Sequence, residues 1–394
     1  MARRRVLSVG TIAALACAIV GAFPAAAGAG VMRCPSGQFD RGGTCTSFAS
    51  AAKRVVSITR SVMSGEDGEG TILRVDVGNR TLVSRGLGLS MAGVRVTPDM
   101  NFRVGSMAIP ALTTIALQLQ DERRLNLDDK LSRWYPNYPN ADRITLRMLA
   151  SVTSGYPDYI QENPPFQKVL LEDVFRQWTD NELLDYAFAQ PIVCEPGTCF
   201  HYAHTNFILL GRVLEKVTKQ STTQLMMNRI IRPLGLRDTR ITKLPFIPPP
   251  VLHAYSDERG VYEDSTYWSP SWGLGNGQLW TSTARDMIPF IRAIGTGKLI
   301  SRSAFRQFTA PLSKGLPGAP ATADYGLGIA IANGWLIQNP VINGYAGILA
   351  YLPSQKIAVL IESTQGSKST AQSIATDIFK AITPYLTPDN PFGT

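Results

Sequence analysis

Two stretches near opposite ends of the chain read as β-strands, and a long region of helical and loop sequence separates them. Residues 71–77 (Thr71-Ile72-Leu73-Arg74-Val75-Asp76-Val77) alternate with period two, Gly78-Asn79 supplies a tight turn, and residues 81–86 return. Near the other end, residues 348–353 and 357–362 read as strands joined through Ser354-Gln355, and a final helix is expected over residues 370–385. Strands from both ends, with helices between them, predict one sheet closed by the N- and C-terminal parts of the chain. The expected fold class is α/β: an antiparallel sheet flanked by helices, with an inserted all-helical domain.

The N-terminus reads as a leader. Arg3-Arg4-Arg5 precedes an apolar run over residues 6–23 and the small residues Ala25-Ala26-Ala27-Gly28-Ala29, the pattern of a secretory signal peptide spanning 1–27. A retained membrane anchor is the competing reading, and lipidation at Cys17 is weaker because Ala14 stands where a lipobox prefers leucine. No later segment is long and apolar enough to span a bilayer. Loss of residues 1–27 removes three arginines and no acid, lowering the net charge from +9 to +6. That is mildly basic, and without a dense basic run with interleaved aromatics it argues against nucleic acid as a partner. Export, to the periplasm, cell envelope or medium, favours disulfides between the locally paired cysteines, Cys34 with Cys45 and Cys194 with Cys199. A zinc site built from Cys194 and Cys199 beside His201 and His204 is the alternative.

The remaining organisation follows from punctuation. Residues 28–69 form an N-terminal segment containing Cys34, Cys45 and a helix over 47–63; 70–134 form the first part of the α/β domain; 135–270 form the helical insertion; and 271–394 complete the α/β domain. Leu112, Ile115 and Leu119 recur at helical spacing, so a helix is expected over 111–125, and Pro110 predicts that its regular part begins at or just before that residue. Residues 244–250, with four prolines, must cross the surface as extended chain. Thr281-Ser282-Thr283 is expected to cap the helix that carries Met287, Phe290, Ile291 and Ile294.

The segment Phe102-Arg103-Val104-Gly105-Ser106-Met107-Ala108-Ile109-Pro110 resembles the nucleophile segment of the serine β-lactamases and DD-peptidases. The likeness continues through Gln118-Leu119-Gln120-Asp121-Glu122-Arg123-Arg124-Leu125, Thr153-Ser154-Gly155, Pro196-Gly197-Thr198, Tyr202-Ala203-His204, Pro233-Leu234-Gly235-Leu236 and Tyr325-Gly326-Leu327-Gly328, in the family's order from about residue 70 to 362. The resemblance implies the β-lactamase/DD-peptidase fold, with a cleft between the α/β and helical parts, Ser106 as nucleophile and no cofactor or metal.

Three departures from the family pattern bear on chemistry. The resemblance calls for lysine at position 109, three residues after the serine, where its amine would assist removal of the hydroxyl proton; isoleucine stands there. The family's Tyr-x-Asn is Tyr202-Ala203-His204, so the tyrosine is kept and an imidazole replaces the amide. The pair is either inert in the cleft or a compensation, with His204 as a general base acting through Tyr202 on Ser106. In Val341-Ile342-Asn343-Gly344-Tyr345, Ile342 falls where the family carries a basic residue, leaving Gly344 and its neighbour Asn343 as the candidates for substrate contact. The expected function is a β-lactamase-related serine hydrolase with a degenerate Ser-x-x-Lys site, acting on an ester or amide. The alternative is an inactive envelope protein of the same fold that binds a small acyl or peptidoglycan-type ligand.

Overall fold

A computed structural model describes residues 34–369 and 373–393. The predicted leader, 1–27, lies outside the described residues. The predicted strand stretches form the centre of a nine-stranded antiparallel sheet, in which Trp335–Gln338, Tyr345–Leu352, Ile357–Gln365, Gly68–Val77 and Arg80–Met91 lie side by side. The N- and C-terminal parts meet in the register that places Ile361 opposite Leu73 and Glu362 opposite Ile72. Period-two side chains sort cleanly between the two faces of this sheet. Ile348, Ala350, Val359, Ile361, Leu73 and Val75 join one core with Val55 of the helix Phe48–Gly65 and Phe379 of the helix Ile374–Leu386. Leu349, Tyr351, Leu360 and Ile72 turn to the other face and join the larger core, with Leu112, Ile115 and Leu119 of the helix Ile109–Asp121.

The expected helices and strands appear with shifted ends. The first helix begins one residue later than predicted because Ser47 is its cap, its side chain accepting from the Ser50 N–H. The regular helix behind the serine starts at Ile109 with Pro110 in its first turn, as the proline requires. Thr283 does precede the helix Ala284–Gly295, but its hydroxyl makes no cap bond there and donates to Asp238 Oδ2 at 3.3 Å. Thr281 and Ser282, placed in the cap by the sequence, belong to the strand Trp280–Ser282.

Both expected disulfides are present, Cys34–Cys45 and Cys194–Cys199, which removes these cysteines as zinc ligands. Among the described residues, no helix is long and apolar enough to cross a membrane.

Candidate active site

The strand Phe102–Arg103 pairs with Trp280–Ser282, and the Val104 N–H donates to the Trp280 carbonyl at 3.0 Å. Gly105 then turns the chain with φ +55°, and a Cβ there would lie 2.7 Å from Pro340 Cβ and 3.3 Å from Ile342 Cγ2, so only glycine fits. A 3-10 turn, Gly105–Ala108, leads directly into the helix. Ser106 therefore sits on the tight turn before the regular helix. Between Asn101 and Pro110, Gly105 and Ser106 alone escape full burial.

Ile109 is wholly buried. Its Cγ2 lies 3.0 Å from the position a side chain at Gly328 would take, and Thr113, one turn further on, donates its hydroxyl to the Leu327 carbonyl at 2.8 Å. The place implied for the lysine is thus packed apolar core, worth roughly 2 kcal/mol for a buried isoleucine.

The opposite flank of Ser106 is polar. Tyr202 is partly buried, and its phenol lies close enough to the Ser106 side chain to be influenced by it. Burial and the nearby Asp158 carboxylate raise the phenol well above its usual range, and the contact with Ser106 only partly offsets them. His204 meets Tyr202 edge to face with ring centroids 5.1 Å apart. Its Nδ1 lies 3.0 Å and 3.2 Å from the two oxygens of Asp158, and its backbone N–H donates to Asp158 Oδ1 at 2.9 Å. Asp158 is fully buried. Burial alone would push its carboxyl up, but the attraction of His204, the ring bond and the N–H groups of Gln161 and His204 together hold it below the usual range. A carboxylate against Nδ1 assigns the donor hydrogen to that nitrogen, leaving Nε2 as the basic one.

Local lacing holds this flank in place. The disulfide loop is bound to the segment carrying Asp158: Val193 N–H donates to Gly155 O at 2.9 Å, Gly197 N–H to Thr153 O at 2.8 Å and His201 N–H to Val152 O at 3.0 Å. The Thr205 hydroxyl donates to Pro157 O at 2.6 Å. Asp158 was missed by the sequence reading, since it lies 46 residues from His204 and no local pattern marks it. His253 Nδ1 lies 2.7 Å from Asp264 Oδ2, and its ring packs edge-on to Tyr267.

The third wall is the hairpin after Trp335–Gln338. Ile342 pairs with Tyr345, and Asn343 and Gly344 form the two-residue turn with φ of +48° and +81°. Asn343 is buried; its carbonyl accepts from Ser265 Oγ at 2.8 Å and its amide donates to Trp268 O at 3.4 Å. Gly344 lies against the Tyr255 carbonyl. Ile342 reaches Gly105 with Cγ2 and the backbone of Gly273 with Cδ1. Sequence position placed Ile342 where a basic side chain is expected, and the geometry seals that wall with hydrocarbon.

Two ionisable side chains, Arg103 and Glu362, lie buried in this part of the molecule. Arg103 spends one nitrogen, Nη2, on the carbonyls of Pro245 at 2.6 Å, Thr266 at 3.2 Å and Trp268 at 3.3 Å, and burial lowers its guanidinium to about 10. Glu362 sits opposite Gly347 on the sheet face that carries the nucleophile helix; its carboxylate and Met107 Cε both crowd the space beside Gly347. Neither Glu362 oxygen has a hydrogen-bond partner among the described residues, and burial raises this carboxyl far above its usual range.

The profile of the family described as Beta-lactamase matches residues 58–381. PbpX of Bacillus subtilis, named as a penicillin-binding protein, is 26% identical over 281 residues, covering 71% of this chain and 66% of that protein, just under two thirds of its length. A D-stereospecific amidohydrolase from Streptomyces sp. superposes with a TM-score of 0.72 and 26% identity, covering 84% of this chain and 98% of that one. The D-amino acid amidase from Ochrobactrum anthropi SV3, solved with L-phenylalanine, shares the fold with a TM-score of 0.70 and 20% identity, covering 84% and 96%.

Proposed function

The chain belongs to the β-lactamase family, and on that premise we propose that it is an exported serine hydrolase of non-standard type that cleaves an ester or amide, with Ser106 as nucleophile. The observation that carries this reading is the polar flank: Tyr202 beside Ser106, and behind it His204 held by buried Asp158. Tyr202 is protonated at neutral pH, so it can accept the Ser106 proton only by passing its own on. His204 is the base available for that, and Asp158 supports the imidazolium that results, the role a carboxylate plays in hydrolytic triads. Ser106 Oγ would attack the carbonyl carbon and the proton would leave with the alcohol or amine. Water would then release the acid from the acyl-serine. The hairpin at Asn343 and Gly344 would border the substrate. Export is supported by the leader-like residues 1–27 and the two disulfides.

A second reading has its own support. Ile109 and Ile342 fill two of the family's basic positions with core, which suits an envelope protein that binds a small acyl or peptidoglycan-type ligand without turning it over. A fluorophosphonate separates the two. Hydrolase chemistry predicts covalent modification that maps to Ser106 and disappears in Ser106→Ala. An intact protein that binds acyl ligands yet stays unmodified would establish the second reading instead.

A further inference from the structure

We infer a second binding site, separate from Ser106 and independent of the hydrolase reading, for a small amphiphilic anion: an apolar body carrying a phosphate or carboxylate group. The site is an open cavity of about 450 Å³, within the range of small-molecule sites. It lies where the helix Thr222–Met226, continued by a π turn over Met227–Ile231 and a last turn Arg232–Leu234, meets the strand Arg240–Ile241. That strand is the outer one of three. Thr281 of the middle strand, Trp280–Ser282, pairs with Arg240 on one edge and with Arg103 on the other, so a full strand separates the cavity from the nucleophile segment.

Two chemistries meet in its lining. Met227, Ile231, Leu236 and Ile241 supply hydrocarbon, and Arg232, Arg237 and Arg240 supply positive charge; no carboxylate lines it. Among the described residues none of these three arginines forms an ion pair, whereas Arg229, in the same π turn, holds Glu122 at 2.6 Å. Arg232 donates to Asn228 Oδ1 at 2.7 Å, Arg240 donates to the carbonyls of Arg237 and Thr239 at 2.6 Å and 3.0 Å, and the Arg237 guanidinium makes no hydrogen bond among the described residues. Most of their N–H donors are therefore free for a ligand. The carboxylates of the adjoining segment are engaged elsewhere: Asp238 with Arg285 at 3.6 Å, and Asp286 with the Asp238 N–H at 2.7 Å and the Thr239 hydroxyl at 2.9 Å. An oxyanion would meet guanidinium donors that suit it, while its hydrocarbon covers the apolar lining.

The test is titration calorimetry of the intact protein with octyl phosphate and octanoate below their micelle-forming concentrations, the tighter of the two identifying the headgroup. The inference predicts that this anion binds at least about tenfold more tightly than inorganic phosphate or octyltrimethylammonium, and that Arg237→Glu and Met227→Asp each weaken it by about tenfold or more. Arg54→Glu makes the same charge change on the helix Phe48–Gly65, which packs on the opposite face of the large sheet, and is expected to leave binding within about twofold. Equal binding of inorganic phosphate or octyltrimethylammonium, indifference to Arg237→Glu, or an equal loss in Arg54→Glu would overturn it. So would capture by phosphatidylglycerol vesicles without binding of either free anion, which would make these arginines a membrane contact.

Discussion

Ser106 has two unlike neighbours. On one side Ile109, Gly328 and Ile342 form a closed apolar wall; on the other Tyr202, His204 and Asp158 form a chain of polar contacts held by backbone hydrogen bonds to a disulfide loop. The difference teaches where proton chemistry can reside. A hydrocarbon wall can position a serine but cannot move its proton, so any activity must run through the tyrosine flank.

The strongest way to break this contrast is to put the family's lysine back. Ile109→Lys would bury an amine in packed core, where the Thr113 hydroxyl one turn on is already bonded to Leu327. The expected cost is about 3–5 kcal/mol in denaturant unfolding, with no gain in serine reactivity. Next in size, His204→Ala is expected to slow fluorophosphonate modification of Ser106 by about 10², while the conservative Ile109→Val leaves the rate within about twofold.

Glu362 lies under the nucleophile turn and gives the contrast a pH signature. Its folded carboxyl titrates far above its unfolded value, so the fold favours the protonated form. Its contribution is fully present below the unfolded pKa near 4.5 and is lost as pH rises from there toward the folded value. Glu362→Gln, neutral at every pH, is expected to stabilise the protein at pH 7 by about 1–3 kcal/mol, with the gain shrinking below pH 4.5 in denaturant titrations. The smallest effect tests the lacing: Thr205→Val removes the hydroxyl bond to Pro157 and should cost about 1 kcal/mol.

The contrast also marks what could be read from sequence. The central strands were legible because residues 71–77 alternate and 348–352 and 357–361 are unbroken apolar runs of strand length, as a sheet covered on both faces requires. The strands Trp280–Ser282 and Trp335–Gln338 were not, being three and four residues long and buried throughout. The apolar flank was half legible: Ile109 stands out against the family pattern, but only packing shows that the lysine's place has been filled rather than left open. Tyr202 and His204 were identified by the same pattern. Asp158 was invisible, because a carboxylate acquires its meaning only when folding carries it across 46 residues to an imidazole. Glu362 lay inside a predicted strand, yet alternation cannot tell a partnered buried carboxyl from an orphan.

The central claim is that the tyrosine flank carries the proton from Ser106. Its direct test is the rate of fluorophosphonate modification of Ser106 in Tyr202→Phe compared with the wild type, across pH 5 to 9. The account predicts a fall of about 10² or more at every pH, with thermal unfolding little changed. An unchanged rate in Tyr202→Phe would contradict it and move the chemistry away from this flank.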